Sequence, residues 1–222
     1  MRVSAALYGF LLLFTLTSGK VLEQKGNNDT VTINRQLANA YAQARRNPDM
    51  SIMIAHKLLD ASQAMSYKKG IADASLVLGM AYLAKYNKGD SALFYNEMAL
   101  STYEEMFDIR GQARACYGLA YVYSFKSDYA TSEKYAIRAL VLFEQANDNR
   151  GRINSLNVLN YLARQQQDID KARNYVENAV AIAKEIKDTI PLADALNNLG
   201  NIYTQMAMFS KAIDTYFEAL RL

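Results

Sequence analysis

The 222-residue chain is 51% hydrophobic and 21% charged with a formal net charge of +3, the composition of a globular or repeat protein and not of a disordered segment. Only 2 prolines and 10 glycines leave too few turn residues for a strand-rich architecture, so helix is the prior. Charges of both signs are spread along the chain, which offers no footprint for nucleic acid, and a lone cysteine, Cys116, excludes internal disulfides.

At the N-terminus Arg2 precedes an apolar run, Ala5–Leu16, followed by the small residues Thr17-Ser18-Gly19. This is the pattern of a signal peptide over residues 1–19, with cleavage expected after Gly19. The run is too short to cross a bilayer core of ~30 Å as a helix; an uncleaved anchor is the alternative. No cysteine follows it, so a lipoprotein is not expected. Residues 20–30 read as a linker carrying one glycosylation sequon, Asn28-Asp29-Thr30.

From residue 31 onward the chain repeats itself. Leu37-Ala38, Leu78-Gly79, Leu119-Ala120, Leu159-Asn160 and Leu199-Gly200 recur at 40 or 41 residues. Tyr41, Tyr82, Tyr123 and Tyr203 stand four residues after the leucine, with Ala163 in the remaining unit. Ala99-Leu100, Ala139-Leu140, Ala179-Val180 and Ala219-Leu220 move in step. Lys69-Gly70, Arg110-Gly111, Arg150-Gly151 and Ile190-Pro191 are the expected breaks between units. Asp90, Asp128, Asp168 and the stretch Met208–Ser210 mark a tight turn within each unit. Each unit therefore reads as two antiparallel helices, for example Ala72–Lys85 with Ser91–Phe107, then Gly111–Phe125 with Tyr129–Ala146. The units expected are 31–69, 70–110, 111–150, 151–189 and 190–222, the last one cut short.

Leu199, Gly200, Tyr203, Ala212, Tyr216 and Ala219 give the fullest copy of a pattern that resembles the tetratricopeptide repeat (TPR). Five copies in register cover residues 31–222, although the family unit is about 34 residues. The longer unit with its Lys/Arg-Gly link resembles the repeats of bacterial sensor proteins and kinesin light chains. The fold class this implies is all-α: a right-handed superhelix, or α-solenoid, of five helix-turn-helix repeats whose neighbours bury each other's apolar faces.

The resemblance also implies which face is left over, because the first helix of each unit lines a concave groove. Carried onto this sequence, the groove positions include Arg35, Asn39, Arg114, Tyr117, Tyr121, Asn157, Tyr161, Arg164, Asn197 and Asn201. Asparagine amides both donate and accept, which suits the backbone of an extended peptide. Tyr117, Tyr121, Phe125 and Tyr161 would make the middle of the groove aromatic, a recognition surface by composition. The alternatives are that the amides are solvated helix surface and that some tyrosines pack on the adjacent unit. Arg35 with Asn39 resembles the start of a carboxylate clamp, but Val77 stands where a second asparagine would follow.

No catalytic chemistry is legible. His56 is the single histidine, Cys116 falls at a position expected to be buried, and Glu104-Glu105 points in two directions on a helix. No phosphate loop or nucleophile elbow occurs. A non-enzymatic chain without cofactor or metal is expected, binding a protein or peptide segment in its groove. The resemblance implies the exported, periplasmic or membrane-attached sensory part of a signal-transduction protein; a free periplasmic scaffold or assembly helper is the alternative. The run KAIDTYFEALRL ends inside a second helix, leaving Ile213, Tyr216, Phe217 and Leu220 uncovered. A fragment lacking a membrane-linked output domain is expected, or an end that pairs with another chain.

Overall fold

The computed structural model describes residues 29–86 and 89–222; the expected signal peptide lies outside them. Ten helices run in chain order among the described residues: α1 (29–43), α2 (Pro48–Ala64), α3 (Lys68–Tyr86), α4 (Gly89–Glu105), α5 (Ile109–Phe125), α6 (Tyr129–Gln145), α7 (Asn149–Gln165), α8 (Ile169–Glu185), α9 (Thr189–Gln205) and α10 (Phe209–Leu220).

One turn is used again and again. Phe107, Ser127, Asn147, Gln167, Lys187 and Ala207 all have positive φ, and each stands 20 residues after the last. At the first of them the Phe107 N–H donates to the Glu104 carbonyl at 3.1 Å, and the Asp108 N–H to that of Tyr103 at 3.0 Å. Those two bonds satisfy carbonyls that a helix end leaves open and reverse the chain in three residues. An aspartate then starts the next helix. Asp108, Asp128, Asp148 and Asp168 each accept from the backbone N–H three residues on, at Gly111, Thr131, Gly151 and Lys171.

The same geometry corrects the expected breaks. Gly70, Gly111, Gly151 and Pro191 lie inside the first turns of α3, α5, α7 and α9, and the chain reverses just before them, at residues 65–67, 106–108, 146–148 and 186–188. Close approach is what the glycines provide. A Cβ on Gly111 would stand 2.2 Å from the Tyr103 ring, and one on Gly151 2.2 Å from the Phe143 ring. The preceding arginine reaches forward: Arg110 donates to the Ala146 carbonyl at 3.1 Å, and Arg150 Nε to Asp188 at 2.7 Å. Asp188 makes no side-chain cap bond, because proline at 191 has no N–H to offer where glycine did.

Successive helices pack side by side, and α3, α5, α7 and α9 also touch one another in a row. The alternate helices α4, α6, α8 and α10 make no such contacts among the described residues. A stack in which one layer is closer than the other must curve, with the closer layer on the concave side. The repeat leucines Leu37, Leu78, Leu119, Leu159 and Leu199 are buried between the layers, and Ala99, Ala139 and Ala179 are sealed completely. Two of the repeat tyrosines lie flat on tyrosines of the outer layer: Tyr82 on Tyr95 at 5.6 Å and Tyr123 on Tyr135 at 5.7 Å. This is an α-solenoid of paired helices. On α10, Phe209, Ile213, Phe217 and Leu220 are exposed, while Tyr216 is half-buried over Gly200.

Candidate functional site

Where α1, α3 and α5 line the concave side they enclose a cavity of about 570 Å³. Its rim is built by two arginines laid on tyrosines. The Arg114 guanidinium of α5 lies 4.1 Å from the centre of the Tyr41 ring on α1. Arg45, in the turn that ends α1, donates from Nη2 to the Tyr117 hydroxyl at 3.2 Å and sits 5.1 Å from the centre of Tyr121. Tyr121 in turn contacts Tyr117 and Phe125, with ring centres at 6.3 and 5.2 Å. Each cation–π contact contributes about 0.5–2 kcal/mol, so the first and third units are tied together across the groove.

The cavity is cationic and largely apolar, with tyrosines and one amide among its lining residues. Arg45, Lys85 and Arg114 line it with Leu76, Met80 and Leu83, and no carboxylate does. Lys85 is engaged by Asp49. Among the described residues neither Arg45 nor Arg114 has a carboxylate within ion-pair distance. Asp73, whose charge reaches Arg114, is already held by Lys69 at 2.9 Å and by the Tyr103 hydroxyl at 2.5 Å. Burial first, and then the Asp73 charge, pushes the Tyr103 phenol above its ordinary range. Burial likewise raises Tyr117, against the pull of Arg45.

The floor is an amide. Asn96 of α4 is 2% exposed and donates from Nδ2 to the Ala92 carbonyl at 2.7 Å. It occupies a slot between two glycines: a Cβ on Gly79 would stand 2.4 Å from its Nδ2, and one on Gly118 2.1 Å from its Oδ1.

Three of the ten groove residues expected from sequence therefore converge: Arg114, Tyr117 and Tyr121. Arg35 and Asn39 are exposed on α1 and do not line the cavity. Farther along, Asn157 accepts from Asn198 Nδ2 at 3.4 Å, and Asn201 accepts from the Tyr216 hydroxyl at 2.9 Å. Asn197 is exposed, Tyr161 is 44% exposed, and Arg164 is half-buried with an Nε that has no partner among the described residues. Sequence reasoning missed Tyr41, Arg45 and Asn96 as site residues. Arg45 falls past the end of its helix, outside the groove positions of the repeat. Asn96 carried a signal: in the same register the later units hold Ala136, Val176 and Tyr216.

Other reactive groups are absorbed by the fold. Cys116 is fully buried, and burial pushes its thiol up to about 11. His56 Nε2 hydrogen-bonds the Tyr82 hydroxyl at 2.9 Å. No cluster of metal-ligating side chains occurs among the described residues, and no helix there is long and apolar enough to cross a membrane.

Similarity to known proteins follows the architecture. The chain is similar in structure to BtubC (BKLC) from P. vanneervenii, with 21% identity, a TM-score of 0.64, and coverage of 85% of this chain and 90% of that one. It is also similar to the nearly identical TPR-like repeats of a putative kinesin light chain from Podosopora anserina, at 11% identity and a TM-score of 0.66, covering 86% and 93% of the two chains. A third likeness is the apo form of RapI, at 15% identity and a TM-score of 0.62, covering 86% of this chain and 65% of that one. These identities carry the fold alone. No curated protein matches the sequence. The tetratricopeptide repeat family model matches residues 112–185 and 160–222, half of the chain, where the Leu-Gly/Ala and tyrosine register is carried by α5 to α10. The chain belongs to the tetratricopeptide repeat family, whose fold is a scaffold for binding other proteins.

Proposed function

We propose that the chain is a non-enzymatic array that binds a protein or peptide segment along its concave face, outside the cytoplasm, as the sensory or adaptor part of a bacterial signal-transduction protein. The observation that carries the binding reading is the inner helix row itself. It presents Arg114, Tyr117 and Tyr121 beside a cavity, then a run of amides at Asn157, Asn197 and Asn201. Aromatic rings with polar tips and amides are the side chains of recognition surfaces. Export is supported by the apolar run Ala5–Leu16 after Arg2 and the small residues that follow it.

Two experiments test the two halves. A peptide-array screen of the chain should return bound sequences that the variant Tyr117→Ala/Asn157→Ala/Asn197→Ala no longer retains; equal retention by both proteins refutes the groove. Alkaline phosphatase fused after residue 30 should be active in a bacterial host, because the enzyme matures only on export. An inactive, cytoplasmic fusion refutes the localisation.

A further inference from the structure

The repeat departs from its own pattern at two places that meet. Residue 96 is an asparagine where the following units have Ala136, Val176 and Tyr216. Residue 118 is a glycine where other units have Val77, Val158 and Asn198. A side chain at 118 would collide with the Asn96 carbonyl oxygen at 2.1 Å, so the glycine makes room for the amide. A polar group buried without its bonds costs free energy that alanine at the same place would not. Asn96 has spent one donor on Ala92, its Oδ1 accepts no hydrogen bond from the described residues, and the residue lines the cavity. At the mouth stand the two guanidiniums with no carboxylate partner among the described residues, Arg45 and Arg114, and between mouth and floor the walls are tyrosine rings and aliphatic side chains.

We infer that this cavity is a discrete site for a small aromatic carboxylate bearing an N–H or O–H donor, the carboxylate meeting Arg45 and Arg114 and the donor meeting Asn96 Oδ1. The volume of about 570 Å³ falls within the range of small-ligand sites, roughly 300–1,000 Å³. Arginine forks suit a planar carboxylate, and here they are fixed in advance by the rings beneath them. A ring between tyrosine walls takes up the flat part of the space. The site shares Arg114, Tyr117 and Tyr121 with the proposed groove and adds Asn96, on the outer helix α4, as a lining residue of its own.

The chain has no tryptophan, so an indole ligand excited beyond the absorption of tyrosine is seen by its own fluorescence. Indole-3-acetate titrated into the chain should give saturable, one-to-one binding. Naphthalene-1-acetate, which lacks the N–H, should bind more weakly, and tryptamine, which lacks the carboxylate, should not compete. Arg114→Met and the rim variant Arg45→Gln should each weaken indole-3-acetate about tenfold or more, the usual effect of losing a charge-assisted bond. Asn96→Leu should abolish the preference for the indole over the naphthalene while both still bind. Circular dichroism melts show that each variant is folded, and Arg45→Gln, at an exposed residue, keeps the test valid if Arg114→Met does not fold. Absence of saturable binding at millimolar ligand overturns the inference, as does equal affinity in Arg45→Gln. Binding of the peptide Gly-Gly-Trp without binding of free indole-3-acetate also overturns it, and assigns the cavity to the peptide groove instead.

Discussion

Single residues carry the approach distances that let helices stack. Gly151 shows this most sharply, because a helix interior ordinarily gains about 0.5–1 kcal/mol when glycine becomes alanine. Here the new methyl would meet Cδ1 and Cγ of Phe143 at 2.2 and 2.5 Å, and that ring is 3% exposed with nowhere to swing. Gly151→Ala should therefore destabilise the chain, by about 1–3 kcal/mol for overpacking, and urea unfolding would show the opposite sign if the ring yields. Leu119→Ala belongs to the same class: the residue is fully buried beside Ala99, Ala139 and Phe143, and truncation should cost about 2–5 kcal/mol. Buried and half-buried phenols add a pH dependence. Tyr103, Tyr117, Tyr95 and Tyr135 all titrate above the ordinary 10.0, chiefly through burial. The unfolded chain then loses these protons first, so stability is full below about pH 9 and falls as pH rises past about 10. Denaturation midpoints taken across that range should decline, and Tyr103→Phe should flatten part of the decline.

At the scale of the helix, the reading of the sequence succeeded and failed for separate physical reasons. Leu37, Leu78, Leu119, Leu159 and Leu199 announce the inner helices because a core position tolerates few side chains, so the leucine recurs. Turn positions do not announce themselves. Among the described residues the left-handed residue is Ser66, Phe107, Ser127, Asn147, Gln167, Lys187 or Ala207; none is the glycine that such a backbone favours, so the two backbone bonds hold turns that no residue type marks. The glycines that looked like breaks are packing residues in the next helix. The site was legible only in part, since Tyr117, Tyr121 and Arg114 sit at repeat positions, whereas Arg45 lies in a turn and Asn96 on an outer helix. Caps are the element-scale feature open to measurement. Asp128→Ala removes a side-chain bond to the Thr131 N–H at 3.1 Å and should cost about 0.5–2 kcal/mol in denaturant unfolding. Asp188→Ala removes no such bond, and its effect should instead match that of Arg150→Ala, its ion-pair partner.

Across the whole molecule two periods coexist, and they make different demands. Turns recur every 20 residues, but burial recurs every 40, because inner and outer helices alternate. The inner helix α7 buries nine residues around its circumference, from Gly151 to Ala163; the outer helix α6 buries four, Ser132, Ala136, Ala139 and Phe143, along one stripe. Deleting residues 108–147 removes one inner and one outer helix and joins Phe107 to Asp148, the same left-handed residue and capping aspartate in the same order. Gly151 then receives the Tyr103 ring in place of Phe143, and Tyr103 keeps its bond to Asp73. That shortened chain should remain helical and unfold cooperatively at a lower temperature, as expected of a nearest-neighbour array that has lost one interface. Deleting residues 128–147 makes an equally good turn, from Ser127 to Asp148, yet it places α7 in an outer position with most of its apolar surface in water. This chain should aggregate or lose its cooperative melt. If circular dichroism found the two deletions equally folded, the turns would be setting the architecture and the alternation of inner and outer helices would not.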